Sequence, residues 1–291
     1  SFSNANGKQL SIGEGRLRMI STNGLDSPPL SLVTTAGPLE SRTIALNPVN
    51  LARKIKVNAL VDLQDLDEYE AQALILEICA ALDEADSEGL MTVSREGRIR
   101  RIEARSSRNP EFSKKEWNKQ WLCMEAEFIC PRPYFVGMSL QSMSAEFYEV
   151  LTDIQEQGIE FPTEGREFSI IMIIGSRLML MQNDGNAKAP VRIKFTGPTV
   201  NPYIKNTTNG EMIRITRTLW ENEYIEIDTT PGKREIKLFK NGTFENGMHY
   251  LDLQSKFWRM LPGVNMIEIG EGSPGAGATY CMEFNAHYKE A

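Results

Sequence analysis

The stretch from residue 191 to residue 288 alternates apolar and polar side chains over short runs, and turn-forming residues end each run. In residues 223–228, Ile225 and Ile227 fall on one side of an extended chain and charged residues fall on the other. A period of two residues is typical of a β-strand that is half buried in a sheet. No strand–helix–strand rhythm interrupts this pattern, which therefore predicts an antiparallel β-sandwich.

Specific turns support this prediction. Asn241-Gly242 is the pair that favours a two-residue type I′ hairpin, because both central residues of that turn need positive φ. The strands predicted around these turns are residues 191–195, 211–219, 223–228, 234–239, 266–269 and 280–288. The aliphatic run from Ile170 to Ile174 predicts a further strand that is buried on both faces, since it is far shorter than the ~20 residues of a membrane-spanning helix.

The preceding part of the chain mixes strands with a helix. The predicted strands are residues 42–46, 53–61, 90–94, 98–105 and 121–129. Residues 66–82 are predicted to form a helix because apolar side chains recur at helical spacing, and these are Ala71, Leu74, Ile75, Ile78 and Leu82. Asp65 and Asp67 are its candidate N-caps. The polar residues 106–119 predict an extended arm or a long hairpin connection, and no element is predicted for residues 1–14.

Two prolines mark the predicted domain junction. Pro131 and Pro133 lack the N–H group that continued sheet pairing needs. The expected domains are residues 1–135 and 136–291, each long enough to bury its own core. The predicted fold class is mainly β, with an N-terminal α+β domain and a C-terminal sandwich. A short helix is predicted at residues 145–157.

Composition and cysteine spacing exclude several functions. A formal net charge of −7 argues against general nucleic-acid binding and against docking on an anionic membrane. The cysteines lack the close spacing of a zinc site and are expected to be free, mostly buried thiols, and they are Cys79, Cys123, Cys130 and Cys281. No cofactor and no metal are expected.

Two motifs imitate binding sites without the context that such sites require. Residues 270–275 spell G-x-G-x-x-G, but Pro274 lies inside the motif and a predicted strand follows, so a glycine-rich hairpin loop is the better interpretation. Trp220 and Glu223 form the W-x-x-E of sugar-binding galectins, whose site also needs an upstream histidine; this chain has none before Trp220.

Sequence patterns for catalysis are equally weak. No G-x-S-x-G elbow is present, and both histidines, His249 and His287, lie in the β-rich half. No catalytic residue is therefore assigned, and the protein is expected not to be an enzyme. A carbohydrate-binding or cell-wall-binding module that uses Trp220 or Trp258 is kept as the alternative function.

Charge is segregated along the N-terminal half. Residues 62–88 contain ten acidic side chains and no basic one, whereas residues 95–119 contain nine basic and four acidic side chains. Two solvated faces would explain this, as would complementary surfaces on neighbouring subunits; nucleic-acid binding is disfavoured by the adjacent acidic helix. The candidate intersubunit contacts are Glu68, Glu70, Glu77, Arg98, Arg100 and Arg101.

A series of turn motifs in a fixed order resembles the distal tail proteins of siphophages. The series begins with residues 24–29 and residues 130–135 and continues through the C-terminal half. The residues that match these landmarks are Pro28, Pro29, Pro133, Tyr134, Phe135, Gly197, Pro198, Asn201, Pro202, Asp228, Pro262, Gly263 and Asn265. The resemblance covers roughly residues 20 to 288.

The resemblance implies a structural role without catalysis. It implies an N-terminal, sandwich-like domain that forms a homohexameric ring and a C-terminal galectin-like sandwich that projects outward. The ring would join the tail-tube protein to the tail-associated tip or baseplate protein, with receptor-binding proteins as further partners. The expected location is the tail tip of the virion, after synthesis in the bacterial host cytoplasm, and no membrane or sequence-specific nucleic acid is an expected partner.

Overall fold

The structure, a computed structural model, describes residues 1–36, 43–83, 88–114, 120–147, 176–270 and 278–291. The chain forms two compact units: the first is Ser1–Met138 with His287–Ala291, and the second is Ser139–Ala286. The junction predicted after residue 135 lies close to the division after Met138. The residues from His287 onward belong to the first unit, although the sequence placed them in the C-terminal domain.

Short antiparallel strands build the first unit. They are β1 (Phe2–Asn4), β2 (Gln9–Leu10), β3 (Leu17–Asn23), β4 (Leu30–Ala36), β5 (Thr43–Asn50), β6 (Arg53–Asp62), β7 (Gly89–Arg95), β8 (Arg98–Ser106), β9 (Glu111–Lys114), β10 (Trp121–Cys130) and β11 (Phe135–Phe147). One set of paired strands follows the order β2-β1-β7-β8-β11, a second follows β3-β6-β10-β9, and β4 pairs with β5. β11 continues into the second unit.

The core of the first unit lies between these strands. Side chains of β6 and β10 alternate between buried and more exposed positions, as the sequence pattern predicts. The antiparallel register sets Ile55 opposite Phe128 and Val57 opposite Ala126, so the apolar faces of both strands coincide. Phe2 is also buried in this core, although no element was predicted for residues 1–14.

The single described α-helix, α1 (Glu68–Ala81), lies inside the predicted range 66–82. Asp67 is the N-cap: its side chain accepts the Glu70 N–H at 2.7 Å, and the Glu70 carboxylate accepts the Asp67 N–H at 3.2 Å. This capping box satisfies two backbone N–H groups that a helix start leaves unpaired. Ile78 and Ala81 are buried in the core. No helix among the described residues is long and apolar enough to cross a membrane.

Strands also build the second unit. They are β12 (Ser176–Asn183), β13 (Ala189–Pro190), β14 (Arg192–Thr196), β15 (Thr199–Val200), β16 (Tyr203–Asn206), β17 (Glu211–Arg214), β18 (Thr218–Leu219), β19 (Tyr224–Asp228), β20 (Glu235–Lys240), β21 (Thr243–Asn246), β22 (Arg259–Met260), β23 (Gly263–Gly270) and β24 (Ala278–Tyr288). A 3₁₀ turn spans Met248–Tyr250. The paired orders are β24-β14-β19-β20-β21 and β12-β23-β16-β17, with the short pairs β13-β22 and β15-β18.

The inward side chains of these strands form one apolar core. Ile193, Ile227 and Ile236 lie in one row across three antiparallel strands, as the two-residue period requires. Asn241 and Gly242 have φ angles of 51° and 79°, which confirms the predicted type I′ geometry between β20 and β21. The mainly β fold class predicted from the sequence is thus confirmed.

Two predicted elements differ from the structure. Residues 145–147, the start of the predicted helix, are the end of strand β11, because sheet pairing overrides a weak local helix preference. Glu111–Lys114, part of the predicted arm, is strand β9 and pairs with β10. The other predicted residues of these elements, 148–157 and 115–119, lie outside the described residues. So do the predicted strand at 170–174 and the G-x-G-x-x-G motif after Gly270.

Candidate assembly surfaces and their supports

A buried arginine joins the landmark motifs of the first unit. Arg53 is 1% exposed. Its Nε donates to the Pro133 carbonyl at 3.0 Å and its Nη1 donates to the Gly24 carbonyl at 2.7 Å. The guanidinium also donates to the Asp26 and Lys289 carbonyls. The two landmarks at residues 24–29 and 130–135 are therefore held by one side chain.

The charge of Arg53 is balanced by carbonyl dipoles and an aromatic face. Its guanidinium carbon lies 4.7 Å from the centre of the Phe135 ring, a cation–π distance. Burial lowers the pKa of Arg53, while Cys130 and Asp26 act in the opposite direction. Cys130, its register partner on β10, is fully buried, and this burial raises the pKa of the thiol to about 12. It is therefore a neutral core thiol.

Gly24 has to be glycine for this arrangement. Its φ is 90°, and a Cβ atom would stand 2.0 Å from the Lys54 carbonyl oxygen. An L side chain would meet backbone that cannot move aside. The neighbouring landmark prolines lie in the same loop as Gly24. Pro28 is buried, and the Pro29 carbonyl accepts the Leu51 N–H at 2.9 Å. Tyr134 accepts a hydrogen bond from the amide of Asn50.

A buried amide holds the landmark turn of the second unit. Asn265 is fully buried at the end of the turn that contains Pro262 and Gly263. Its Nδ2 donates to the carbonyls of Leu261 and Gly263 at 2.7 and 3.0 Å. Its Oδ1 accepts from the Leu261 N–H and from Asn206 Nδ2 at 3.0 and 2.9 Å. Four hydrogen bonds satisfy the side chain, which is the condition for burying an amide.

The other C-terminal landmarks also shape turns. A Cβ on Gly197 would stand 2.3 Å from the Trp220 carbonyl oxygen, so the backbone approaches too closely for a side chain. Gly197-Pro198 is a cis peptide bond, and Asn201 has a φ of 52°. The Pro202 carbonyl accepts the Ile215 N–H at 2.9 Å, and Asp228 Oδ1 accepts the Thr230 N–H at 2.8 Å. These landmarks are supports of the fold, with local partners.

The charged candidates lie at different places on the first unit. Glu68 and Glu77 on α1 are exposed, as are Arg98 and Arg101 on β8. Among the described residues, no ion pair joins these glutamates to these arginines. Pairing between these side chains within one copy therefore does not explain the segregation of acidic and basic residues along the sequence.

Two of the six candidates have local structural roles. Glu70 closes the capping box of α1. Arg100 is only 8% exposed; its guanidinium lies 3.8 Å from the centre of the Tyr288 ring and donates to the Glu290 carbonyl. The period of two residues turns Arg100 toward the inside of the unit and Arg101 away from it. Arg100 is therefore directed inward within one copy, and its part in an intersubunit contact stays a prediction.

Exposed apolar side chains accompany these charges. Tyr69 and Leu76 on α1 are 82% and 62% exposed, and Ile99 and Met138 on β8 and β11 are 51% and 48% exposed. For Tyr69 and Leu76 the sequence contained a signal of exposure, because both residues fall outside the apolar stripe that predicted the buried face of the helix. Sequence reasoning missed these four residues as surface candidates.

The W-x-x-E motif has a structural function. Glu223 is buried; it accepts the Trp220 N–H at 3.2 Å and forms an ion pair with Arg217 at 3.2 Å. Burial would raise the pKa of Glu223, but the Trp220 N–H and the charges of Arg217 and Lys240 outweigh it and lower this pKa. Trp258 is 1% exposed, which excludes it as a sugar-stacking residue, whereas Trp220 is exposed.

The described residues show no cluster of three or more His, Cys, Asp or Glu side chains that could hold a metal ion. All four cysteines are free; Cys130 is buried and the other three are half-buried. Free thiols were expected, and full burial applies to Cys130 alone.

Comparisons with known proteins agree with this architecture. Residues 184–288 match the family described as siphovirus-type tail component, C-terminal domain. The crystal structure of the Dit protein (gp 19.1) of phage SPP1 is similar with a TM-score of 0.63 and 13% identity, over 94% of this chain and 93% of that chain. Two structures of the phage P2 baseplate, in its activated conformation with Ca and with Sr, are similar at 10% and 11% identity. Each match has a TM-score of 0.43 and covers 96% of this chain and 94% of that chain. No curated protein matches the chain.

Residues 184–288, nearly all of which lie in the second unit, thus match the C-terminal domain of siphovirus-type tail components. The fold of the chain is similar to that of the SPP1 Dit protein over nearly the full length of both chains. The resemblance inferred from the ordered turn motifs is confirmed.

Proposed function

We propose that the protein is a distal tail protein whose first unit assembles into a homohexameric ring, an adaptor between the tail tube and the tail-tip or baseplate proteins. The observation that carries this proposal is the fold likeness to SPP1 Dit over 94% of the chain. That protein is described as a paradigm of the hub adsorption apparatus in phages that infect Gram-positive bacteria. The family match of residues 184–288 supports the same role.

The surfaces of the first unit suit a ring. A cyclic ring uses head-to-tail contacts, so each subunit needs two different and complementary surfaces. The exposed acidic side chains of α1 and the exposed basic side chains of β8 meet this requirement. The partners are then further copies of this chain, the tail-tube protein, the tail-associated tip protein and receptor-binding proteins. Synthesis takes place in the host cytoplasm before assembly into the virion.

The test is assembly with the tail-tube protein. The full chain is mixed with the tail-tube protein of the same phage and imaged by electron microscopy. Six-fold rings coaxial with one end of the tube are the expected result. A two-fold dimer through the second unit as the sole assembly, with the tube protein present, would overturn the proposal.

A further inference from the structure

We infer that the exposed ridge of α1, together with Glu77, docks on the outer face of β8 and β11 of a second copy of this chain. The ridge consists of Tyr69, Ala73 and Leu76, and the receiving face consists of Ile99, Arg101 and Met138. This inference rests on the proposed ring and assigns its subunit interface.

The ridge is a continuous apolar stripe on the solvent side of α1. Tyr69, Ala73 and Leu76 are spaced by four and three residues, so at 3.6 residues per turn they lie above one another. Ile78 lies on the opposite side of the helix and is 1% exposed in the core. Tyr69, at 82% exposure, presents a large ring with few contacts in this copy. Aromatic side chains of this kind are enriched in the centres of protein interfaces.

The receiving face is the side of β8 and β11 that faces away from the core. Along β8 the buried Arg100 and Ile102 alternate with the exposed Ile99 and Arg101. Ile99 and Arg101 therefore point outward. Val136 on β11 is the register partner of Arg101, and Met138 follows two residues later on the same side. Ile99 and Met138 are 51% and 48% exposed, which leaves an apolar surface with a cation beside it.

Complementarity between the two surfaces identifies a second copy as the occupant. The ridge has a carboxylate at its side, Glu77, and the face has a guanidinium, Arg101, and both are exposed. Their exposure shows that the two surfaces do not cover each other within one copy. Opposite charges at the edge of an apolar contact fix its orientation more than they add affinity. A ridge on one side and a receiving face on another side of the same chain give a head-to-tail contact.

A charge-reversal rescue tests the inference. Glu77→Arg and Arg101→Glu each place like charges at every junction of the ring and are expected to weaken assembly about 10- to 100-fold. The double variant E77R/R101E restores opposite charges at every junction, because each junction combines one ridge with one face. It is expected to assemble within about threefold of the natural chain. Sedimentation velocity with the tail-tube protein present measures assembly, and circular dichroism monitors folding.

Apolar variants provide a second, independent measurement. Leu76→Asp and Ile99→Asp are expected to abolish ring formation while each monomer melts as the natural chain does. Leu253→Asp is the matched control, because Leu253 is fully exposed on the second unit and takes no part in the proposed contact. It is expected to leave assembly unchanged.

The outcomes separate this inference from the proposed function. If the natural chain forms six-fold rings and the Glu77, Arg101, Leu76 and Ile99 variants form them equally well, the interface assignment is wrong and the proposed function stands. If both single charge reversals block the ring but the double variant does not restore it, the two side chains do not face each other, and the inference fails as well. If the natural chain forms no ring with the tail-tube protein, both fail together.

Discussion

In each unit one buried polar side chain holds landmark residues, Arg53 in the first and Asn265 in the second, but the two side chains differ in charge. Arg53 in the first unit is a cation that donates only to carbonyl groups, whereas Asn265 in the second unit is neutral and both donates and accepts. A buried charge has a larger desolvation cost than a buried amide and depends on all of its partners together. The first unit should therefore tolerate less change at its centre than the second.

The largest expected effect is at Arg53. Arg53→Ala should destabilise the first unit by about 3–5 kcal/mol, because several buried carbonyl acceptors lose their donor at about 1–3 kcal/mol each. Arg53→Lys should recover only part of this loss, since an ammonium group cannot reproduce the planar fork. Denaturant unfolding monitored by hydrogen exchange of β6 and β10 measures the change. Arg18→Ala is the control, because that side chain is 65% exposed. An equally large loss of stability at Arg18 would show that the burial of Arg53 does not set its contribution apart.

Asn265 should give the next largest effect. Asn265→Ala removes four hydrogen bonds and leaves buried partners unsatisfied, so a loss of about 2–4 kcal/mol is expected in the second unit. Exposed Asn209 is the control, and its alanine variant should change stability by less than about 1 kcal/mol. Hydrogen exchange of β23 is the measurement. Equal losses at Arg53 and Asn265 would show that charge does not distinguish the two units.

Acid should weaken the second unit through Glu223. Because the pKa of Glu223 is lowered in the folded state, its contribution to stability is complete above the ordinary glutamate range and is lost as pH falls through the lowered, folded-state pKa. Glu223→Gln should cost about 1–3 kcal/mol at pH 7, the strength of hydrogen bonds to a charged group. The difference from the natural chain should shrink toward pH 3. Unfolding free energies at pH 7, 5 and 3 test this; a constant difference would contradict it.

The smallest expected effect is alkaline and belongs to the first unit. Burial raises the pKa of the Cys130 thiol from 9.0 to about 12, so the unfolded chain releases this proton at lower pH than the folded chain does. This contribution to stability is therefore complete well below pH 9 and is lost as pH rises toward 12, by about 1.4 kcal/mol at pH 10. Cys130→Ala should remove this part of the pH dependence. Alkylation of Cys130 should also require unfolding, and rapid alkylation of the native protein at pH 8 would contradict its burial.

The local sequence pattern was sufficient to predict those elements whose geometry repeats every few residues. The two-residue alternation predicted β6, β8 and β10 to within a residue at each end. The spacing of Ile78 with its neighbours predicted α1, and Asp67 was one of the two proposed N-caps. These features depend on backbone geometry and near neighbours, which the sequence displays directly.

The ordered turn motifs also indicated the resemblance to distal tail proteins, but the roles of individual residues depended on tertiary structure. Arg53 looked like an ordinary strand residue, yet its partners are 29 residues away at Gly24 and 236 residues away at Lys289. Arg100 belonged to a basic run, and only the presence of Tyr288 and Glu290 shows that it faces inward. Which distant segment meets a given side chain depends on how the sheets fold together, and no local period encodes that choice. The sequence by itself determined the strands, the helix and the turns, because these depend on near neighbours, while tertiary packing decided which charged side chains are buried supports and which stay exposed.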